Sequence, residues 1–148
     1  MKGNLIDFAE QGVFNVIIHG CNCFHVMGAG IAKEIKCRYP KAYEADITHT
    51  IKGDETKLGH YSYALIETVD RPFTIINGYT QYAYGKGGPH INYKAIQSVF
   101  RRVAKQYFTS VIGYPYIGAG LGGGDWSIIQ KIINEELKNI SHHLVTFK

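Results

Sequence analysis

Two short stretches of this chain hold the residues best suited to chemistry. The first reads Gly20-Cys21-Asn22-Cys23-Phe24-His25-Val26-Met27-Gly28-Ala29-Gly30, and the second Ile117-Gly118-Ala119-Gly120-Leu121-Gly122-Gly123-Gly124-Asp125. Each follows an apolar run of strand character and precedes a run with helical spacing. Glycine permits positive φ and lets backbone approach a ligand closely, so successive N–H groups can converge on one anion. A helix starting just behind adds the positive end of its dipole. Two such loops in one small domain suit a ligand with two phosphates, or one long phosphate-bearing ligand. Read structurally, the same glycines serve only tight turns and helix–sheet packing.

Rival motifs fit poorly. There is no G-x-x-x-x-G-K-[ST], so a P-loop is excluded. Gly118-x-Gly120-x-x-Gly123 spells a dinucleotide fingerprint. It lies too near the C-terminus, however, with only about 25 residues left for the βαβ unit and acidic ribose partner such a site needs. His19, Cys21, Cys23 and His25 alternate along the chain and are all zinc ligands by type. Alternate residues of a strand stand about 6.6–6.8 Å apart, too far for one tetrahedral shell. No metal and no cofactor is expected.

The elements that must position these loops can be read from periodicity and punctuation. Strands are predicted over residues 1–5, 14–20, 61–67, 73–77, 111–116 and 144–147. Helices are predicted over 30–39, stopping at Pro40, and over 41–48, 92–108 and 126–139. The 92–108 helix carries apolar Tyr93, Ile96, Val99, Phe100, Val103 and Tyr107 at core spacing. In 126–139 the inward set is Ile128, Ile129, Ile132, Ile133 and Leu137. Two strands precede the first long helix, so a mixed sheet between helical layers fits better than a purely parallel one.

Bulk properties narrow the class. The chain has 148 residues, 45% hydrophobic and 19% charged, which suits one α/β domain spanning 1–148. A domain of this size buries roughly 68–70% of its unfolded surface and needs no disulfide or metal to hold its core. No apolar run approaches a bilayer span and no secretory signal is visible, so a cytoplasmic, membrane-free protein is expected. The net charge of +4 is mild. Its densest basic sets, Lys33, Lys36, Arg38 and Lys41, then Arg101, Arg102 and Lys105, read as solvated helix faces rather than a nucleic-acid surface. Three cysteines, Cys21, Cys23 and Cys37, read as reduced.

At these residues the chain resembles the macrodomain family over most of its length. Lys2-Gly3-Asn4-Leu5, the strand Val16 to Cys23 with its loop, Gly28-Ala29-Gly30-Ile31-Ala32 and Arg38-Tyr39-Pro40-Lys41-Ala42 match its first half in order. Pro115-x-Ile117-Gly118-Ala119-Gly120-Leu121-Gly122-Gly123-x-x-Trp126 is similar to its second phosphate loop. The His-x-Cys-Asn-Cys form most resembles the yeast-type ADP-ribose 1″-phosphate phosphatases. The resemblance implies a three-layer α/β/α fold with ADP-ribose in a cleft at the sheet's edge.

Carried over residue by residue, Gly3, Asn4 and Leu5 lie near the adenine, with Asn4 accepting through its carbonyl oxygen where many macrodomains have Asp. Phe147 on the last strand suits stacking on the adenine and equally a place in the core. Gly28, Ala29, Gly30, Ile31 and Ala32 hold one part of the diphosphate. Ile117, Gly118, Ala119, Gly120, Leu121 and Gly122 hold the other. Gly20, Cys21 and Asn22 face the distal ribose, which Asn22 orients. Thr80, Gln81 and Tyr82 belong to the central loop, where Tyr79, Tyr82 and Tyr84 suit a lid. His19, with a pKa near neutrality, is the expected proton donor or acceptor for hydrolysis of the 1″-phosphate, and Asp125 a second candidate for orienting water. His25 matches no family position, and Asp125 also suits a helix cap.

The resemblance leaves two alternative functions. An ADP-ribosylhydrolase would remove ADP-ribose from protein or DNA, which is the one way nucleic acid enters. The branch cleaving ADP-ribosyl-glutamate uses a lysine in the central loop and an aspartate after the second Gly-x-Gly-Leu, and here no lysine is present and Gly122 stands at the latter position. A reader would bind ADP-ribose and catalyse nothing. In each case the partner is a small ADP-ribose derivative and the chain a monomer.

Overall fold

The computed structural model describes residues 1–120 and 122–147. In chain order it contains α1 (Leu5–Glu10), β1 (Val16–Cys21), α2 (Gly30–Arg38), α3 (Pro40–His49), a 3-10 turn (Glu55–Lys57), β2 (Tyr61–Ile66), β3 (Phe73–Tyr79), α4 (Tyr93–Gln106), β4 (Ile112–Tyr114), α5 (Trp126–Glu136) and β5 (His142–Leu144). The strands form one mixed sheet in the order β2-β3-β1-β4-β5. Only β2 runs antiparallel, against β3; β1 is parallel to β3 and β4, and β4 to β5.

The centre of the sheet is covered on both faces. Ile17 and Ile75 point to one side, where they meet Leu5, Ile6 and Ala9 of α1, Ile35 of α2, and Ala42 and Ala45 of α3. Val16, Ile18, Ile76 and Ile112 point to the other, against Ile96, Val99, Phe100 and Val103 of α4 and Ile129 and Ile133 of α5. This is the three-layer α/β/α arrangement expected, and it explains why β1 reads as a continuous apolar run rather than an alternating one.

The first five residues correct the sequence reading. Only Lys2 pairs, in a bridge to Thr146, and the chain turns helical at Leu5. Asn4 is the N-cap, its carbonyl oxygen accepting from the Asp7 N–H at 3.0 Å. A helix of six residues is too short to show a helical period in the sequence. In α5, Ile129, Ile133 and Leu137 are buried as expected, but Ile128 faces outward and is 44% exposed. The last strand ends at Leu144, earlier than predicted.

Helix starts differ in a way that matters below. Asn4, Asn92 and Asp125 cap α1, α4 and α5 with side-chain oxygens. Helix α2 starts at Ala29 with no side-chain cap. Helix α3 also lacks one, but Pro40 at its first turn has no N–H to satisfy.

Beneath α3 runs a buried polar chain whose members lie far apart in the sequence. His19 Nε2 bonds Asn77 Oδ1 at 2.7 Å, while Asn77 Nδ2 donates to the Ala42 carbonyl and to Ser62 Oγ. Ser62 Oγ lies 2.7 Å from the Tyr79 hydroxyl, which donates to Asp46 Oδ1 at 2.7 Å. Because Asn77 spends its N–H groups elsewhere, its oxygen must accept and His19 Nε2 must carry the proton. Lys57 stands 3.9 Å from Asp46 and donates to Thr50 Oγ1 at 2.9 Å. Lys57 is only 7% exposed, unlike the solvated lysines expected.

Burial holds the His19 pKa below 6.5, outweighing the opposing pulls of the Asn77 hydrogen bond and of Asp46. Unfolded His19 takes up a proton near pH 6.5 and the folded protein resists doing so. Its contribution to stability is therefore complete above that pH and is lost as the pH falls through it. Burial lowers His25 and His142 too, so they add to the same slope. The denaturant midpoint should fall on acidification, and His19→Gln should make that fall shallower; an unchanged slope would show that His19 does not titrate on unfolding.

Candidate functional site

Strands β3, β1, β4 and β5 run the same way, so their C-terminal ends form one rim. The chain leaving β1 passes to α2 on one face of the sheet, and the chain leaving β4 passes to α5 on the other. Where neighbouring strands send their loops to opposite faces, a crevice must open between them. A cleft of about 620 Å³ lies there.

Its lining follows the strand order. Gly20, Asn22, Gly28, Ala29, Gly30, Ile31 and Ala32 come from beyond β1, and Ile117, Gly118, Gly120 and Gly122 from beyond β4. Gln81 lines the β3 end and Phe147, 64% exposed, the β5 end. These thirteen expected residues are thus brought together. Val26, Tyr84, Gly85, Pro115, Tyr116, Val145 and Thr146 also line the cleft. Tyr84 belongs to the expected lid, Val26 to the first glycine loop and Pro115 to the second phosphate-loop motif; Tyr116 abuts that second loop, and Val145 and Thr146 abut Phe147. A groove of similar size, about 640 Å³, runs between α3 and β2, but no glycine loop opens on it.

The other expected residues stand outside this lining. His19 is fully buried on the Ile17 side of β1, with Cys21 Sγ 3.6 Å from its ring, and its proton-bearing nitrogen is committed to Asn77. Cys21 is buried beside Met27 and Tyr79, and burial pushes its thiol pKa well up. Asp125 caps α5, accepting from the Ser127 N–H and hydroxyl, contacts that hold its pKa down. Asn4 caps α1 and donates to Glu34 at 2.9 Å. Leu5 is in the core, and Gly3 donates its N–H to the Thr146 carbonyl, steadying the segment before Phe147. Tyr82 packs on Phe24, Ala119 packs against the α4–α5 core, and Leu121 lies outside the described residues.

The glycines of the cleft divide by what a side chain would meet. A Cβ on Gly20 would come within 2.7 Å of Thr80 Oγ1, and one on Gly122 within 2.9 Å of the Gly118 carbonyl oxygen. Gly118 has φ +75° and would strike Ile91. Packing explains these three. Gly28 and Gly120 have no positive φ, and a Cβ on either would meet nothing closer than 3.9 Å. Neither conformation nor packing asks for glycine there; both line open cleft. Thr80 itself is fully buried, and its hydroxyl has no hydrogen-bond partner among the described residues.

Asn22 shapes the first loop from inside. Its oxygen accepts from the N–H groups of Phe24 and Val26, and its Nδ2 donates to the Val26 carbonyl at 2.8 Å. That turn puts His25 at φ +63°, the one non-glycine residue with positive φ among the described residues. The His25 ring then reaches Thr50 Oγ1 at 2.9 Å and lies 4.0 Å from Asp46. Thr50 already gives its proton to the Asp46 carbonyl, so His25 donates. The tether joins the cleft's first loop to the buried polar chain. His25→Ala should lose this bond and keep the left-handed strain, whereas glycine at 25 relieves the strain. In urea melts His25→Ala should cost about 1–3 kcal/mol, and more than His25→Gly. Equal losses would mean the conformation carries no strain.

The chemistry at hand is that of neutral groups. Among the described residues no carboxylate, lysine or histidine lines the cleft; Asn22, Gln81, two tyrosines, Thr146 and backbone amides do. The uncapped first turn of α2, residues 30–32, opens into it and faces the second glycine loop. Such a site can hold an anion, orient a sugar and position water.

The Macro domain family model matches residues 18–133. An uncharacterised 17.5 kDa protein of Enterobacteria phage T4 is 36% identical over 90% of this chain and 86% of its own length. A DNA ADP-ribosyl glycohydrolase of Mycobacterium tuberculosis is 28% identical over 88% of this chain, which spans 36% of that protein's length. The fold is similar to that of Thermosipho africanus DarTG solved in complex with ADP-ribose, with a TM-score of 0.74 and 20% identity over 89% of this chain and 38% of that one. The match across both glycine loops, together with the cleft they enclose, shows that this chain belongs to the macro domain family.

Proposed function

We propose that this protein binds ADP-ribose derivatives in the cleft and hydrolyses the bond at the anomeric carbon of the distal ribose, releasing ADP-ribose. The observation that carries the binding half is the pair Gly28 and Gly120, glycines required by neither φ nor packing and open to the cleft from opposite loops. A diphosphate between them would meet the bare N–H groups of the α2 first turn and the positive end of its dipole. Phe147 lies at one end of this arrangement for the adenine and Gln81 with Asn22 at the other for the distal ribose.

The hydrolytic half is supported by likeness to the mycobacterial DNA ADP-ribosyl glycohydrolase and by the character of the lining. With amides and no strong acid or base around the sugar, proton transfer falls to water and to the ligand's own phosphate oxygens. That chemistry suits departure of a stable leaving group from an oxocarbenium-like ribose. Phosphate release from ADP-ribose 1″-phosphate is the second reading, favoured by the anion-binding loops. Its expected acid, His19, is behind the sheet and bonded to Asn77.

One assay separates the readings. The chain is incubated with an ADP-ribosylated oligonucleotide and, separately, with ADP-ribose 1″-phosphate, and free ADP-ribose and phosphate are followed. Release of ADP-ribose from the oligonucleotide is expected. Phosphate release alone would favour the second reading, and binding without either product a reader. In parallel, Gly28→Val and Gly120→Val should stay within about 0.5 kcal/mol of the parent in stability yet lose at least about tenfold in ADP-ribose affinity. Gly20→Val should instead destabilise the fold. If the two open glycines tolerate valine with affinity intact, the diphosphate is not held there.

A further inference from the structure

The two edges of the sheet differ. Along the β5 edge lies the N-terminal segment: the Met1 amine donates to the Leu144 carbonyl, Thr146 N–H donates to the Met1 carbonyl, and Lys2 bridges Thr146. At the other edge β2 pairs only with β3. An open edge is a template for another strand, and folds that keep it single blunt it with charge, proline or a cover. Strand β2 contains no charged residue and no proline. The groove of about 640 Å³ between α3 and β2 is lined by Tyr61 to Leu65, so the strand stands open along it.

The direction of its backbone groups follows from the pairing. Tyr79 N–H donates to the His60 carbonyl, so His60, Ser62, Ala64 and Ile66 turn their polar groups towards β3. Those of Tyr61, Tyr63 and Leu65 point outward, and Lys41 Nζ, 3.0 Å from the Leu65 carbonyl oxygen, agrees with that direction. Ser62, Ala64 and Ile66 bury their side chains, whereas Tyr63 is 56% and Leu65 41% exposed. Tyr61 packs on Tyr107 of the α4 layer at 6.4 Å between centroids. Open backbone beside exposed aromatic and aliphatic side chains is the make-up of a strand–strand interface.

Symmetry and charge select a second copy of this chain as the occupant. A two-fold axis at Tyr63 sets Tyr61 opposite Leu65 of the second copy, so every outward N–H meets an outward carbonyl. The same register sets Glu67 opposite Gly59 of the second copy. Ser98 Oγ donates to the Gly59 carbonyl at 2.9 Å and accepts from Arg102 Nε at 3.3 Å, which holds Arg102 beside Gly59. Arg102 and Glu67 are both exposed, and among the described residues neither forms an ion pair. We propose that β2 pairs antiparallel with β2 of a second copy about Tyr63, joining two sheets into one and bringing Arg102 of each copy to Glu67 of the other. A strand's place in its sheet is not visible in its sequence, which is why a monomer is the expectation there.

The test is sedimentation velocity of the full chain over a wide range of concentration. A species of twice the monomer mass should appear and dissociate on dilution. Tyr63→Lys changes an exposed side chain and sets two ammonium groups face to face, so it should weaken the dimer at least about tenfold. Glu67→Arg and Arg102→Glu should each weaken it, and the double variant Glu67→Arg/Arg102→Glu should restore it. Thermal melts at a concentration where the parent is monomeric check that each variant is folded. A chain that stays monomeric throughout would overturn the proposal, as would a dimer that survives Tyr63→Lys in a folded variant. Charge reversals that fail to compensate would overturn the pairing about Tyr63, and open-ended growth beyond two copies would contradict a two-fold interface.

Discussion

Strand β1 is buried on both faces between β3 and β4, so the chain that leaves it can go only outward beyond the rim of the sheet. It turns towards α2, while its neighbour β4 turns towards α5 on the opposite face. No packing of side chains can close the gap left between two loops that diverge in this way. The cleft is thus a consequence of topology, and the residues around it determine what it holds. Glycines at 28 and 120 keep it open, and an uncapped helix start points into it.

Loops that diverge must also be kept from collapsing, and here the buried polar chain does its part. Asn22 folds the first loop on itself, His25 anchors its tip to Thr50, and Asp46 collects Tyr79, Lys57 and the carbonyl contact of Thr50 within a small volume. A buried carboxylate is tolerable only when its partners are present, so removing either Asp46 or Lys57 leaves an uncompensated charge. His19 and Cys21 of β1 and Cys23 just beyond it belong to this support: burial pushes both thiols up, Cys23 to about 11.

Much of this was legible in the sequence because the signals are local. The two glycine loops, the amphipathic spacing of α4 with Asn92 at its cap, and the doubly buried run of β1 each declare themselves within a few residues. Residues 28–32 and, from the second loop, Ile117, Gly118, Gly120 and Gly122 line one cleft, whereas Ala119 packs into the core. What stayed hidden depends on partners distant in the chain. His19 near the end of a strand looks the same whether its ring meets a ligand or Asn77, 58 residues away. Lys57 reads as one more surface lysine until Asp46 and Tyr79 are folded over it. Asp125 fitted both a catalytic and a capping role, and its hydrogen bonds to Ser127 are those of a cap.

The most direct test of the account is a crystal structure of the chain grown with ADP-ribose. The diphosphate should lie between the first turn of α2 and the loop at 118–122, with the adenine at Phe147 and the distal ribose at Gln81. A ligand lying in the reverse sense, or seated in the groove between α3 and β2, would contradict it.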